Sequence, residues 1–210
     1  MIRTVATAAL ILVPASLTAH PHVFVDSELT VEVDDAGRIT GTRMTWTYDE
    51  FFTLLILEDM GLDADADGQL TEDERAALLN FDFETWPEGF EGDLYLYAAD
   101  GTQVPLGHPD SISADVVDGK IVSTHTRTVD AAPAEGATLR QYDPTYYVAY
   151  TLQTVAVDGP CTASVDAPDP DAGEEALAQA LEEASEDQFE VLELGIHYAD
   201  EIRLSCGSSS

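Results

Sequence analysis

Basic residues are scarce in this sequence. Eight lysine and arginine residues stand against 41 aspartate and glutamate residues, which gives a formal net charge of −33 at pH 7. Lys120 is the single lysine. A surface with this excess of negative charge repels nucleic acid and anionic lipid headgroups, and it attracts cations. We therefore expect no nucleic-acid partner.

Long apolar runs are absent as well. A helix that spans a bilayer needs about 20 mainly apolar residues. The run from Val5 to Val13 is much shorter, and no later stretch reaches that length. With Arg3 before the run and Ala19 after it, residues 1–19 are typical of a cleavable signal peptide. The sequence predicts a periplasmic protein that is not embedded in a membrane and that begins at His20 after cleavage.

Cysteine is limited to Cys161 and Cys206, and the two are not in a C-x-x-C motif. This spacing argues against a redox site. In an exported chain the pair is expected to form one disulfide. Closing a loop of this size would stabilise the fold by roughly 4 kcal/mol in the chain-entropy description.

The segment DADADGQLTEDE, residues 63–74, matches the calcium-binding loop of an EF-hand. Calcium takes six to eight oxygen ligands at about 2.3–2.6 Å, and the sharp turn of the loop needs a glycine at its sixth position, which is Gly68 here. The alternative is an acidic, solvated turn. The expected carboxylate ligands at loop positions 1, 3, 5 and 12 are Asp63, Asp65, Asp67 and Glu74. Gln69 at position 7 would offer its main-chain carbonyl, and Thr71 at position 9 would bind through a water molecule.

Helices are predicted on both sides of this loop, so that residues 49–80 form an EF-hand-like helix-loop-helix unit. The entering segment, residues 49–60, is apolar on nearly every side, which predicts burial in a larger core. The leaving segment, residues 71–80, opens with a capping box of Thr71 and Glu74. Because the chain has one such loop and sensor proteins usually pair two, we favour a structural calcium site over a switch.

A second candidate site lies at the start of the expected mature chain, HPHVFVD. In an extended strand, His20 and His22 share one face, and two imidazoles on one face can bind a single metal ion. The α-amino group of His20 is a further nitrogen ligand. Any other ligand must come from elsewhere in the fold, and His125 is one candidate. Imidazole suits nickel, cobalt, zinc and copper, whereas the oxygen-only loop suits calcium. The alternative is that both histidines simply begin the first strand.

Strand patterns separated by turn residues fill most of the remaining chain. Asp34 to Gly37, Asp100-Gly101 and Asp118-Gly119 each separate two runs of alternating apolar residues, and the last pair is typical of a type I′ turn. Residues 166–188 form an acidic linker and a late acidic helix, and residues 207–210 should fray. We predict an α+β, mainly β fold: residues 20–206 form a single exported domain with an antiparallel β sandwich-like core and the EF-hand-like insertion.

Several motifs together resemble domain-of-unknown-function family 1007. They are HPHVFVD after the signal peptide, W-x-Y-D-E at residues 46–50, the acidic loop, YDPTYY at residues 142–147 and the two late cysteines. The resemblance covers nearly all of the expected mature chain. It implies a periplasmic accessory of a transition-metal transport system, with a membrane nickel or cobalt permease as partner.

The resulting prediction is a periplasmic metal-binding accessory protein with a structural calcium site. Two alternatives stay open. One is a calcium-stabilised extracytoplasmic interaction module, and the other is a copper-dependent oxidative enzyme that uses the amino-terminal histidine. The chain has no G-x-S-x-G, H-E-x-x-H or catalytic cysteine pattern, so no other enzyme class is indicated.

Overall fold

The computed structural model describes residues 21–83, 86, 90–183 and 194–207. Within these residues, ten strands form two five-stranded sheets. The strands of the first sheet are β1 (Val23–Val33), β2 (Arg38–Tyr48), β5 (Asp110–Val117), β6 (Lys120–Pro133) and β8 (Val148–Asp158). The strands of the second sheet are β3 (Leu94–Tyr97), β4 (Gln103–Val104), β7 (Thr138–Gln141), β9 (Cys161–Asp166) and β10 (Glu201–Cys206). The spatial orders are β5-β6-β2-β1-β8 and β4-β3-β7-β10-β9.

The predicted mainly β sandwich with few helices is confirmed. The three predicted turns each connect two antiparallel neighbours: β1 to β2, β3 to β4, and β5 to β6. At the last turn Asp118 and Gly119 both have positive φ, 50° and 78°, as a type I′ turn requires. One pair of neighbours, β1 and β8, is parallel. These two strands are far apart in the chain, so no hairpin turn constrains their direction.

The core lies between the sheets and follows the alternation of the strands. In β1 the odd-numbered residues from Val23 to Val33 are buried, and the even-numbered ones are exposed or half-buried. The confirmed alternation places Phe24 on the outer face of the first sheet. Fully buried aliphatic side chains from both sheets meet in one cluster, including Leu29, Ile39, Met44, Ile121, Leu96, Leu139, Ile202 and Leu204. Removal of this apolar surface from water is the main force that holds the sheets together.

The helices α1 (Glu50–Met60) and α2 (Glu72–Leu78) lie between β2 and β3 in the chain, as the sequence predicts. A third helix, α3 (Pro170–Glu183), falls within the predicted acidic segment, of which residues 184–188 are outside the described residues. A 3₁₀ helix, Gly195–Tyr198, precedes β10. No described helix is long and apolar enough to cross a membrane.

The predicted burial of α1 is wrong. Only Thr53 and Leu57 of this helix are buried, whereas Phe51 and Leu54 are 75% and 65% exposed. The helix touches the first sheet along one side, where the Thr53 hydroxyl accepts a hydrogen bond of 2.9 Å from the main-chain N–H of Ile121. The apolar residues of α1 are distributed around the whole helix, but this pattern does not determine how much of the helix surface other elements cover. In the folded protein only one side of α1 is covered.

Candidate functional sites

Three carboxylates of the acidic loop converge. Asp63, Asp65 and Asp67 each offer an oxygen, and these oxygens all lie within 4.8 Å of one another. The loop turns back at Gly68, whose φ of 75° suits glycine. The main-chain N–H groups of Asp67 and Gly68 donate hydrogen bonds to the Asp63 carboxylate, so the first ligand position is oriented by the fifth and sixth.

Glu74 connects the end of the loop to its beginning. Its carboxylate accepts hydrogen bonds from the main-chain N–H groups of Thr71, at 2.8 Å, and of Asp63, at 2.9 Å. The Thr71 hydroxyl accepts a bond from the N–H of Glu74, which confirms the predicted capping box of α2. The hydrogen bonds from Thr71, in the first place, and from Asp63 lower the pKa of Glu74. The loop therefore offers carboxylate oxygens, the ligand type that a hard cation such as calcium takes.

The remaining loop residues have defined contacts. The N–H of Gln69 donates to the Asp67 carboxylate at 2.8 Å. Leu70 is buried at 5% exposure and packs into the main core, so the loop is anchored at its eighth position. The guanidinium of Arg75 donates to the Leu70 carbonyl, and Arg75 also approaches Asp115 of β5 at 3.8 Å. These contacts attach both the loop and α2 to the first sheet.

Of the two amino-terminal histidines, His20 lies outside the described residues and His22 is exposed just before β1. The N–H of His22 donates to the carbonyl of Tyr147 at 2.8 Å, and its imidazole lies 4.9 Å from the Tyr147 ring. The strand alternation continues back from Phe24, so His22 is on the outer side of the first sheet. The imidazole is therefore accessible to an ion in solution.

The structure does not bring His125 to His22. His125 is 3% exposed and lies opposite Met44 on the inner face of the first sheet. Its ring packs against Trp46 and Phe83 at centroid distances of 4.7 and 4.8 Å. Burial, with a smaller effect of the Arg127 charge, lowers the pKa of His125 to about 4. His125 is therefore a buried, neutral residue of the core, on the face of the sheet opposite to His22.

The predicted disulfide is present between Cys161 and Cys206. The two residues are directly opposite in the β9–β10 ladder, with their Cα atoms 4.1 Å apart. The bond therefore joins the edge strand β9 to its neighbour at the end of the chain.

A buried polar cluster that sequence reasoning missed lies under the first sheet. The Tyr48 and Ser123 hydroxyls both donate to Asp82 Oδ2, at 2.9 and 3.0 Å. The Tyr150 hydroxyl donates to Asp93 Oδ2 at 2.8 Å. Both carboxylates line a cavity of about 230 Å³ whose wall is mainly aromatic. The rings that surround it include Trp46, Tyr48, Phe52, Phe83, Trp86 and Tyr150.

These carboxylates are poorly solvated. Asp93 is 6% exposed, and burial raises its pKa to about 7. Burial also raises the pKa of Asp82. Within the described part of the chain, the Oδ1 atom of each is buried without a hydrogen-bond partner, and neither carboxylate is in an ion pair. The only hint in the sequence is the density of aromatic residues around Asp82, which is equally typical of an ordinary core.

Arg127, a buried residue of β6 in the first sheet, donates its hydrogen bonds to main-chain carbonyls. Its guanidinium donates to Gly107 O at 2.7 Å, to Leu106 O at 3.3 Å and to Glu91 O. It also lies 5.4 Å from the centroid of the Trp86 ring. The positive charge is thus held by neutral acceptors and an aromatic face, and the two acids are not neutralised by it.

Comparison with known proteins identifies the family. The sequence model described as "Protein of unknown function (DUF1007)" matches residues 5–206. The chain belongs to this family. A relative, an uncharacterized protein of Haemophilus influenzae (strain ATCC 51907 / DSM 11121 / KW20 / Rd), is 24% identical over 214 residues, which cover 90% of this chain and 91% of that protein.

Among solved structures, the acetylcholine-binding protein type 1 of Biomphalaria glabrata aligns with 95% of this DUF1007 chain and 92% of its own. The identity is 12% and the TM-score is 0.35. A TM-score this low carries no argument about fold or function.

Proposed function

We propose that this DUF1007 protein is a periplasmic metal-binding accessory of a transition-metal transport system and that a calcium ion stabilises its helix-loop-helix unit. The observation that carries the metal-binding part is the convergence of the Asp63, Asp65 and Asp67 oxygens within 4.8 Å. Three carboxylates this close repel one another, and a divalent cation between them relieves the repulsion.

Calcium would act on stability rather than on signalling. The loop connects α1, which is bonded to β6 through Thr53, with α2, which contacts β5 through Arg75. An ion that binds only the folded loop stabilises the fold by about 2.7 kcal/mol at a hundredfold excess over its Kd. Calcium binding would therefore hold both helices against the first sheet.

Thermal unfolding in calcium and in chelator tests this part. We expect calcium to raise Tm and Glu74→Gln to remove most of the increase, because the substitution removes the carboxylate at loop position 12. Glu72→Gln is the matched control, since it is the same exchange in the same helical turn outside the ligand positions. Equal Tm values in calcium and in chelator would contradict the calcium site.

The transition-metal part rests on the exposed imidazole of His22 and on the family resemblance to proteins found beside nickel and cobalt permeases. The net charge of −33 raises the local concentration of cations near such a site. If cleavage occurs after Ala19 as predicted, the new amino group and the His20 imidazole add two nitrogen ligands within three residues of His22.

Titration of the processed protein with nickel, cobalt, zinc and copper tests this part. We expect His22→Ala to weaken binding at least tenfold, whereas His197→Ala, which removes another exposed histidine, should have no effect. One extra residue before His20 should weaken a site that uses the free amine. A cell that lacks the protein should accumulate less of the bound metal through its permease.

Two other results would redirect the assignment. Unchanged binding of all four metals in His22→Ala would favour a calcium-stabilised interaction module. Copper-dependent oxidation of an added polysaccharide would favour the oxidative enzyme.

A further inference from the structure

The aromatic cavity under the first sheet is lined by two acidic side chains that no described residue pairs with a positive charge. Asp82 and Asp93 both line it, and each directs one oxygen to a tyrosine hydroxyl. The other oxygen of each is buried, with no hydrogen-bond donor among the described residues. A buried carboxylate oxygen in this state requires a donor that the described residues do not supply.

The wall of the cavity is suited to a positive charge. The faces of Trp, Tyr and Phe rings attract cations through their quadrupoles, and Trp does so most strongly. Trp46 and Trp86 both line the cavity, together with Tyr48 and Tyr150, which are bonded to the two acids. The Arg127 guanidinium above Trp86 shows that one of these rings already contacts a cation.

A bare metal ion fits this cavity less well than an organic cation. Asp63, Asp65 and Asp67 form the one group of three or more metal-type ligands that the described residues bring together, and that group is in the loop. The cavity of about 230 Å³ is several times the roughly 30 Å³ share of one water molecule. Its lining is mostly hydrocarbon, which a hydrated ion cannot contact favourably.

We propose that this cavity binds a small organic ammonium ion, a protonated primary amine whose N–H groups donate to the carboxylates of Asp82 and Asp93 while its alkyl part packs against the aromatic wall. The N–H groups supply the missing donors, and the charge neutralises the two acids. This site is separate from the metal sites of the proposed function, so each proposal can fail without the other.

Intrinsic fluorescence and calorimetry measure this binding directly. The chain has two tryptophans, and both line the cavity, so a bound ligand should change their emission. We propose butylammonium chloride as the probe and 1-butanol as its neutral counterpart of equal size. Butylammonium should bind saturably and at least tenfold more tightly than 1-butanol. Tetramethylammonium, which lacks N–H donors, should bind more weakly than butylammonium.

The variant Asp93→Asn tests whether the Asp93 carboxylate is responsible for butylammonium binding. Asparagine tolerates the φ of 56° at this position and keeps an acceptor for the Tyr150 hydroxyl. The variant should lose at least tenfold affinity for butylammonium and none for 1-butanol. Asp35→Asn is the control because it removes one charge at the exposed turn after β1, far from the cavity. Asp82→Asn provides a second variant if Asp93→Asn does not fold.

The proposal is overturned if butylammonium and 1-butanol bind equally, or if neither binds saturably. It is also overturned if Asp35→Asn reduces butylammonium affinity as much as Asp93→Asn, because the attraction would then come from the acidic surface as a whole. Tetramethylammonium binding as tight as that of butylammonium would contradict the role of the carboxylate hydrogen bonds.

Discussion

The Tyr150 hydroxyl donates a 2.8 Å hydrogen bond to Asp93 Oδ2 and thereby joins the two sheets. Tyr150 belongs to β8 in the first sheet, and Asp93 directly precedes β3 in the second. The carbonyl of Asp93 also accepts from the N–H of Tyr142 at 2.9 Å, just after β7. A single buried residue therefore links three strands, and its ionisation should affect the stability of the whole sandwich.

The first prediction concerns this ionisation. Burial raises the pKa of Asp93 to about 7 from an ordinary value of 3.8, so between these values the folded state holds a proton that the unfolded state has lost. The stabilisation present below pH 3.8 is therefore lost as the pH rises through about 7. Relative to Asp93→Asn, the wild type should lose about 1.4 kcal/mol of unfolding free energy per pH unit in this window.

Urea unfolding of both proteins across the window measures this difference. Comparing the two is necessary because His125, with its pKa lowered to about 4 from 6.5, makes stability rise with pH in an overlapping range. Asp35→Asn is the control, and its curve should parallel that of the wild type. A constant difference between Asp93→Asn and the wild type from pH 4 to pH 7 would contradict the prediction.

A second prediction tests how α1 is attached. Thr53→Val keeps the shape of the side chain but removes the acceptor for the buried N–H of Ile121. An unsatisfied buried donor costs about 1–3 kcal/mol, so unfolding should become easier by this amount. Thr53→Ser retains the hydroxyl and should lose much less. Equal stabilities of the valine and serine variants would show that the hydrogen bond contributes little.

A third prediction uses the two faces of β1. Leu29 is 1% exposed and Phe24 is 55% exposed on the same strand. Leu29→Ala removes packed core volume and should cost about 2–5 kcal/mol of unfolding free energy. Phe24→Ala should change it by no more than about 0.5 kcal/mol, as surface substitutions usually do. Comparable losses in the two variants, measured by chemical unfolding, would mean that the outer face of the first sheet is covered in solution.

The fourth prediction concerns the disulfide between Cys161 and Cys206. The intact mass of the purified protein should be that of the oxidised form, two hydrogens below the reduced form. Reduction should lower the unfolding free energy by up to about 4 kcal/mol and increase amide exchange in β9 and β10. Butylammonium and calcium binding should persist after reduction. A reduced pair in the freshly purified protein would contradict the structure.

Features that depend on neighbouring residues could be predicted from the sequence. The Asp118-Gly119 turn follows from the positive φ that two consecutive residues must adopt, and the Thr71 cap follows from the spacing of its partner Glu74. The cysteine pairing was predictable because a chain with two cysteines can form only one intramolecular disulfide. The alternation of β1 was equally predictable, because the side chains of a strand point to opposite faces regardless of what covers them.

Only the tertiary structure decided which faces are covered and which distant residues meet. It left Phe51 in solvent, although the composition of α1 indicated burial. It also placed His125 and His22 on opposite sides of one sheet.

The carboxylates of Asp82 and Asp93 and the hydroxyls of Tyr48 and Tyr150 share one cavity because the two sheets pack face to face. Spacing along the chain encodes local geometry, but contacts between remote segments depend on strand order and on the parallel pairing of β1 with β8. No short pattern specifies that pairing, because it is set by the free energy of the assembled core as a whole.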